Sequence, residues 1–265
     1  MGASNRPVIG VFDSGVGGLT VLRALMERVP NAEYIYFGDT ARLPYGSKSV
    51  QTVAKYAISA ARFIQQNGAQ HIVIACNTAS ALALDAITAS VEVDVLGVIE
   101  PGAQAAADSS KSRKAVVIAT EGTVGSHAYK KALALRGVTA EEKACPLFVP
   151  LVEEGWTEHE VTERIAHIYL DSQFDGDFSD ADTLVLGCTH YPLLKPLLRR
   201  VVPEKVSIVD SAQATADVVA TKFGGSAGSP VVLFFATDSV EKFRRAGEKF
   251  LGREIEGVEH IEMES

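Results

Sequence analysis

Cysteine is scarce in this chain, and positive charge is outweighed. Only Cys76, Cys145 and Cys188 occur in 265 residues, an odd number with no C-x-x-C spacing. A disulfide framework or a zinc knuckle needs more, so the thiols read as free and the compartment as reducing cytosol. Lys and Arg number 25 against 33 Asp and Glu, giving a net charge of −8. That balance argues against a nucleic-acid surface, which needs clustered basic residues. It leaves room for a small acidic ligand, because backbone N–H groups bind anions inside acidic proteins. No apolar run approaches the roughly 18 residues that cross a bilayer, so no membrane span is expected. The segment Met1-Gly2-Ala3-Ser4-Asn5-Arg6-Pro7 lacks an apolar stretch, so no secretory signal is read, and Arg6 spoils a myristoylation match.

What is present is alternation. Val8–Phe12, Tyr34–Phe37, Ile72–Ala75, Val95–Ile99, Ala115–Ala119, Thr183–Leu186, Ser207–Val209 and Val231–Phe235 read as strands. Between them, helical patterns run over Leu19–Arg28, Val50–Gln66, Ala79–Ala89, Ala103–Ala107, Ser126–Leu135, Glu158–Leu170 and Leu193–Arg200. Strands that are apolar throughout, joined by helices, imply parallel sheets covered on both faces. The Gly224–Pro230 stretch is a loop before the last expected strand.

Two segments repeat one pattern. Ile72-Val73-Ile74-Ala75-Cys76-Asn77-Thr78 and Leu184-Val185-Leu186-Gly187-Cys188-Thr189-His190 each end an apolar strand in a thiol and small polar residues, before a helix. Ligands bind at the carboxyl ends of strands in open α/β sheets. One thiol per half predicts two doubly wound, pseudo-symmetric domains, with a sulfur on each side of a substrate. A thiol pair that removes and returns a proton at one carbon is a racemase or epimerase. A free cysteine alone is more often a small buried hydrophobe. Cys145, in Lys143-Ala144-Cys145-Pro146 with no helix expected after it, takes that reading.

Other candidates cluster at the same sheet edge. Gly10-Val11-Phe12-Asp13-Ser14-Gly15-Val16-Gly17-Gly18 is a glycine-rich strand-to-helix turn, but neither a Walker A loop nor a dinucleotide fingerprint. Asp13 either binds an ammonium group or positions a thiol proton. His190 is a base, an acid or a core residue. Glu153-Glu154 either orients that histidine or forms an exposed acidic turn. Thr120 and Thr123 bind a carboxylate or only cap a helix. Pro44-Tyr45-Gly46, in the loop after the second strand, also reaches this edge.

Val11–Leu19, Pro44–Gly46, Ile74–Ser80, Gly187–Pro192, Ala119–Val124 and Asp210-Ser211-Ala212 together resemble glutamate racemase, of the aspartate/glutamate racemase superfamily. The resemblance runs along essentially the whole chain in order. It implies cofactor-independent, metal-free interconversion of L- and D-glutamate, supplying D-glutamate for peptidoglycan, in a cytoplasmic homodimer. It implies two domains, 1–98 with 211–265 and 99–210, and an active site between them. By motif, Cys76 deprotonates D-glutamate with help from Asp13, and Cys188 deprotonates L-glutamate with help from Glu153 and His190. Substrate contacts are implied for Asp13, Ser14, Pro44, Tyr45, Gly46, Cys76, Asn77, Thr78, Thr120, Thr123, Cys188, Thr189 and His190.

Three rivals stand beside this. An aspartate racemase shares the thiol logic, but usually carries Glu after the Cys-Thr pair, where this chain has His190. A two-lobed amino-acid binding protein needs no matched thiols. A cysteine hydrolase uses a single nucleophile.

Overall fold

Each strand–helix unit lays its strand parallel to its neighbours, and every strand pairing is parallel. The computed structural model describes residues 6–225 and 227–263, so residues 1–5, read above for a signal, and Ser226 lie outside it. In chain order, β1 (Val8–Asp13), α1 (Leu19–Arg28), β2 (Glu33–Gly38), α2 (Val50–Gln66), β3 (His71–Ile74), α3 (Asn77–Thr88), β4 (Asp94–Gly97) and α4 (Ile99–Ser109) form the first half. There follow β5 (Lys114–Ala119), α5 (Glu121–Ser126), α6 (Ala128–Ala134), β6 (Thr139–Ala144), α7 (Phe148–Glu153), α8 (Glu160–Leu170), β7 (Thr183–Gly187), α9 (Lys195–Val201) and β8 (Ser207–Asp210). The chain then adds α10 (Ser211–Phe223), β9 (Val231–Ala236), α11 (Val240–Leu251) and β10 (Val258–His260).

The six-stranded sheet has the order β10-β9-β2-β1-β3-β4 and the four-stranded sheet β6-β5-β7-β8. The run β2-β1-β3-β4 of the first follows the same winding as the whole of the second, so β3 and β7 hold equivalent places. This is the two-domain α/β architecture expected. Both sheets are covered on both faces. Ile9 and Val11 pack with Leu19, Leu22 and Leu25 of α1, while Phe12, Ile72 and Ile74 pack with Val53, Ala57 and Ile64 of α2. In the second sheet Val116 and Ile118 face Phe148, Leu170 and Leu198; Ala115 and Val117 face Ala103, Tyr129 and Leu133. Helix α10 packs against both α1 and α4.

Several expectations need correction. The strand read at Val95–Ile99 is Asp94–Gly97 and Ile99 already belongs to α4. The chain leaves the sheet at Val98 because the Ser80 hydroxyl takes its N–H. The helix read over Ser126–Leu135 breaks at His127, whose φ of 56° is left-handed; its Nδ1 lies 2.7 Å from Glu142 Oε2 on β6, a tertiary hold that no local residue signals. The helix read from Leu193 is a 3-10 turn over Tyr191–Leu194 followed by α9, because Pro192 and Pro196 each withhold an N–H near a start. Val231–Phe235 is not the last strand, since β10 follows. A helix, α7, does begin three residues after Cys145, yet Cys145 itself is buried with its Sγ toward Lys143 O.

Candidate active site

Register fixes where the thiols emerge. Ile74 pairs with Phe12, and Gly187 with Ala119, at the carboxyl ends of the two central strand pairs. Cys76 follows β3 and Cys188 follows β7, and both border one cavity of about 370 Å³. The first domain contributes Ser14, Tyr45, Asn77 and Thr78; the second contributes Thr120, Glu153, Thr189 and His190. Cys76 and Cys188 are 6% and 7% exposed, so each sulfur is enclosed but reachable.

The two thiols are held differently. Cys76 is the N-cap of α3, and its Sγ accepts from Ala79 N at 3.5 Å and bonds Ser14 Oγ at 3.6 Å. Burial, reinforced by the nearby Asp13 carboxylate, outweighs those bonds and pushes the Cys76 thiol up to about 12. Asp13 is fully buried, accepts from Gly15 N at 2.9 Å and has its own pKa raised by burial, against the pull of His190.

Cys188 precedes a 3-10 turn rather than an α-helix, so little helix dipole reaches it. A histidine takes that place. His190 Nδ1 is 4.0 Å from Cys188 Sγ, and His190 Nε2 is 3.1 Å from Glu153 Oε1. Burial works to lower the His190 pKa, but the Cys188 and Glu153 contacts win and raise it to about 10. Burial likewise works to raise Glu153, and the hydrogen bond from His190 overcomes it, leaving Glu153 below the usual carboxylate range. A charged imidazolium therefore stands beside Cys188. Phe250 of α11 packs edge-on against its ring at 5.1 Å.

Glycines let the domains close on one another. A Cβ on Gly46 would lie 2.8 Å from Thr120 Cβ across the cleft, and one on Gly17 would lie 2.3 Å from Thr189 Oγ1 and 2.5 Å from His190 Nδ1. Tyr45 lends its ring to the wall, but its hydroxyl donates to Asp39 at 2.5 Å, away from the cavity. Tyr129 OH donates to Asn77 Oδ1 at 2.7 Å, leaving Asn77 Nδ2 without a partner.

Of the residues expected here, Ser14, Pro44, Tyr45, Gly46, Cys76, Asn77, Thr78, Thr120, Glu153, Cys188, Thr189 and His190 line the cavity. Asp13 and Thr123 lie beneath it: Asp13 accepts from Thr189 Oγ1 at 3.5 Å, and Thr123 lies 3.0 Å from Thr120 Oγ1 and 3.3 Å from Thr78 Oγ1. The reading missed Gly15, Leu43, Ser47, Glu121, Pro146, Val149 and Pro150. Gly15 and Glu121 lie inside quoted motifs without having been singled out, Leu43 and Ser47 flank Pro44–Gly46, and Pro146, Val149 and Pro150 come with α7 and the turn before it, which looked like loop. No lysine or arginine lines the cavity among the described residues, and no group of three or more His, Cys, Asp or Glu there could hold a metal.

The chain matches the Asp/Glu/hydantoin racemase family over residues 9–219. It is 55% identical to a glutamate racemase of Koribacter versatilis, across 97% of this chain and 98% of the relative. A glutamate racemase structure from Bacillus anthracis superposes with a TM-score of 0.91 at 35% identity, covering 98% of this chain and 99% of that one. One from Francisella tularensis in complex with D-glutamate gives 0.88 at 35% identity, covering 98% of both chains. An aspartate racemase from Picrophilus torridus reaches 0.58 at 17% identity, over 82% of this chain and 94% of its own, and shares the fold alone. Paired thiols, one cavity and these likenesses agree: the chain belongs to the Asp/Glu/hydantoin racemase family, among its glutamate racemases.

Proposed function

We propose that this chain interconverts L- and D-glutamate by two-base proton transfer between Cys188 and Cys76, without a cofactor. The observation that carries the reading is that both thiols, leaving equivalent strands of the two sheets, border one cavity. In the L to D direction the Cys188 thiolate takes the Cα proton, and the Cys76 thiol delivers its own to the opposite face. Reversal exchanges the roles. His190, oriented by Glu153, serves Cys188; Asp13 serves Cys76 from beneath. Of the thirteen substrate contacts named above, Ser14, Asn77, Thr78, Thr120, Thr189 and the Pro44–Gly46 loop supply N–H, hydroxyl and amide donors.

A Cα proton is far less acidic than a thiol, so charge developing on the carboxylate must be stabilised in place. Preorganised neutral donors in an enclosed site do this better than water, which must reorient. With no lysine or arginine in the wall among the described residues, and His190 engaged by Cys188 and Glu153, the unpartnered Asn77 Nδ2 and the start of α3 are the natural anion partners. Both sulfurs must stay reduced, which suits a reducing cytoplasm. The wider reading is a homodimer that supplies D-glutamate for peptidoglycan, with domains of residues 1–98 plus 211–265 and 99–210.

Cys76→Ser and Cys188→Ser test it. Each variant is expected to lose racemisation by about a hundredfold or more, because a serine hydroxyl is a far weaker acid than a thiol. Near-full turnover by either would end the two-thiol reading.

A further inference from the structure

Two-base racemisation leaves the protein in the wrong protonation state to repeat itself. Once L-glutamate has become D-glutamate, Cys188 holds a proton and Cys76 lacks one. A proton must return before the next L-glutamate reacts.

A row of polar groups leads from Cys188 to Asp13, whose carboxylate stands near enough to Cys76 to raise its thiol. Thr189 Oγ1 donates to Asp13 Oδ1 at 3.5 Å and stands 3.5 Å from His190 Nδ1. That nitrogen is 4.0 Å from Cys188 Sγ. At the other end Asp13 lies beside Ala75, the residue before Cys76: a Cβ on Gly18 would meet both side chains, at 2.5 and 3.0 Å. Asp13 is 0% exposed and lies beneath the cavity, while Thr189 and His190, each 6% exposed, sit in its wall, so the row follows the wall rather than crossing the open space. A threonine hydroxyl donates and accepts at once, and its branched Cβ restricts where the oxygen points. The bare Cα of Gly17 makes room for it.

We propose that the Thr189 hydroxyl bridges an internal proton return from the Cys188 side to the Cys76 side; the inference rests on the two-thiol reading. The imidazolium of His190 gives its Nδ1 proton to the Thr189 oxygen as Thr189 gives its own to Asp13 Oδ1. Asp13 passes that proton to the Cys76 thiolate. The neutral imidazole then takes the proton of Cys188. One proton has crossed from Cys188 to Cys76, and Thr189, Asp13 and His190 are as they began.

The test is the substrate concentration at which equilibration of L- and D-glutamate begins to slow, the point where return of the free enzyme limits the rate. In the unmodified protein this onset is expected to be independent of buffer concentration. Thr189→Val should lower it by about tenfold or more, with small buffer acids restoring it, because a lost proton relay is replaceable by an external acid. Thr189→Ser, which keeps the hydroxyl, should stay near the unmodified onset. An onset that is the same in Thr189→Val, or one that responds to buffer in the unmodified protein, overturns the relay and assigns the return to water in the cavity. Should Thr189→Val be inactive, buffer response of the unmodified protein decides alone. Failure of the relay leaves the cysteine variants inactive; failure of the two-thiol reading leaves one of them active.

Discussion

Gly17→Ala puts one methyl group into the seam between the domains. Its Cβ would sit 2.3 Å from Thr189 Oγ1, 2.5 Å from His190 Nδ1 and 2.6 Å from His190 Cε1, where ordinary contact begins near 3.4 Å. Gly17 has no positive φ, so the backbone accepts alanine and the effect is steric alone. The gap must open by about 1 Å, a misplacement able to cost about a hundredfold in rate when it moves a catalytic group. His190 cannot recoil freely, since Phe250 packs on its ring and Glu153 holds Nε2. Overpacking of this size costs about 1–3 kcal/mol, which lowers Tm by about 2–10 °C for a chain of this length. Gly125→Ala is the control, because a Cβ there meets nothing within 4 Å. Turnover is followed by circular dichroism with either enantiomer, well below Tm. If Gly17→Ala turned over within about twofold of Gly125→Ala, the claim that rigid seam packing aligns His190 would be wrong.

Glu153→Gln keeps a hydrogen-bonding side chain but removes the charge beside His190 Nε2. The folded His190 pKa of about 10 lies above its ordinary 6.5, so its stabilising contribution is fully present below pH 6.5 and is lost as pH rises through 10. In the variant that loss should be complete about one to three pH units lower, read from Tm against pH and from the alkaline limb of the rate; an unmoved limb contradicts the pairing. Ser80→Ala removes the hydroxyl that donates to Ile74 O at 2.8 Å and accepts from Val98 N at 3.2 Å. The orphaned buried groups should cost about 1–3 kcal/mol in denaturant unfolding; an unchanged midpoint would mean that water replaces the hydroxyl.

The strands that carry the site were legible because they are buried on both faces and therefore apolar throughout, as β1, β3, β5 and β7 are. Edge strands were not. Strand β6 reads Thr-Ala-Glu-Glu-Lys-Ala and is mostly half-buried, so its composition resembles a solvated loop; β10 is three residues, two of them exposed. Helix α11 did leave a signal, in Phe243, Gly247, Phe250 and Leu251 on one face of an otherwise largely charged helix. It went unread, and with it the ring that packs on His190. Helix α7 hid behind Pro150, which sits within its first turn, where proline is tolerated. The thiol segments, the glycine-rich turn and the Pro44–Gly46 loop were found because strand ends, glycines and hydroxyl residues are local features. His190 beside Cys188, and Glu153 as its orienting partner, were legible; the loss of a helix start after Cys188 was not, since it depends on Pro192 shortening the turn that follows.

The most direct measurement is a single turnover of L-glutamate by excess protein equilibrated beforehand in D2O, quenched before the reaction reverses. Opposed thiols predict deuterium at Cα of the D-glutamate formed and none in the L-glutamate left over. Deuterium appearing equally early in the remaining L-glutamate would mean that one group both removes and returns the proton.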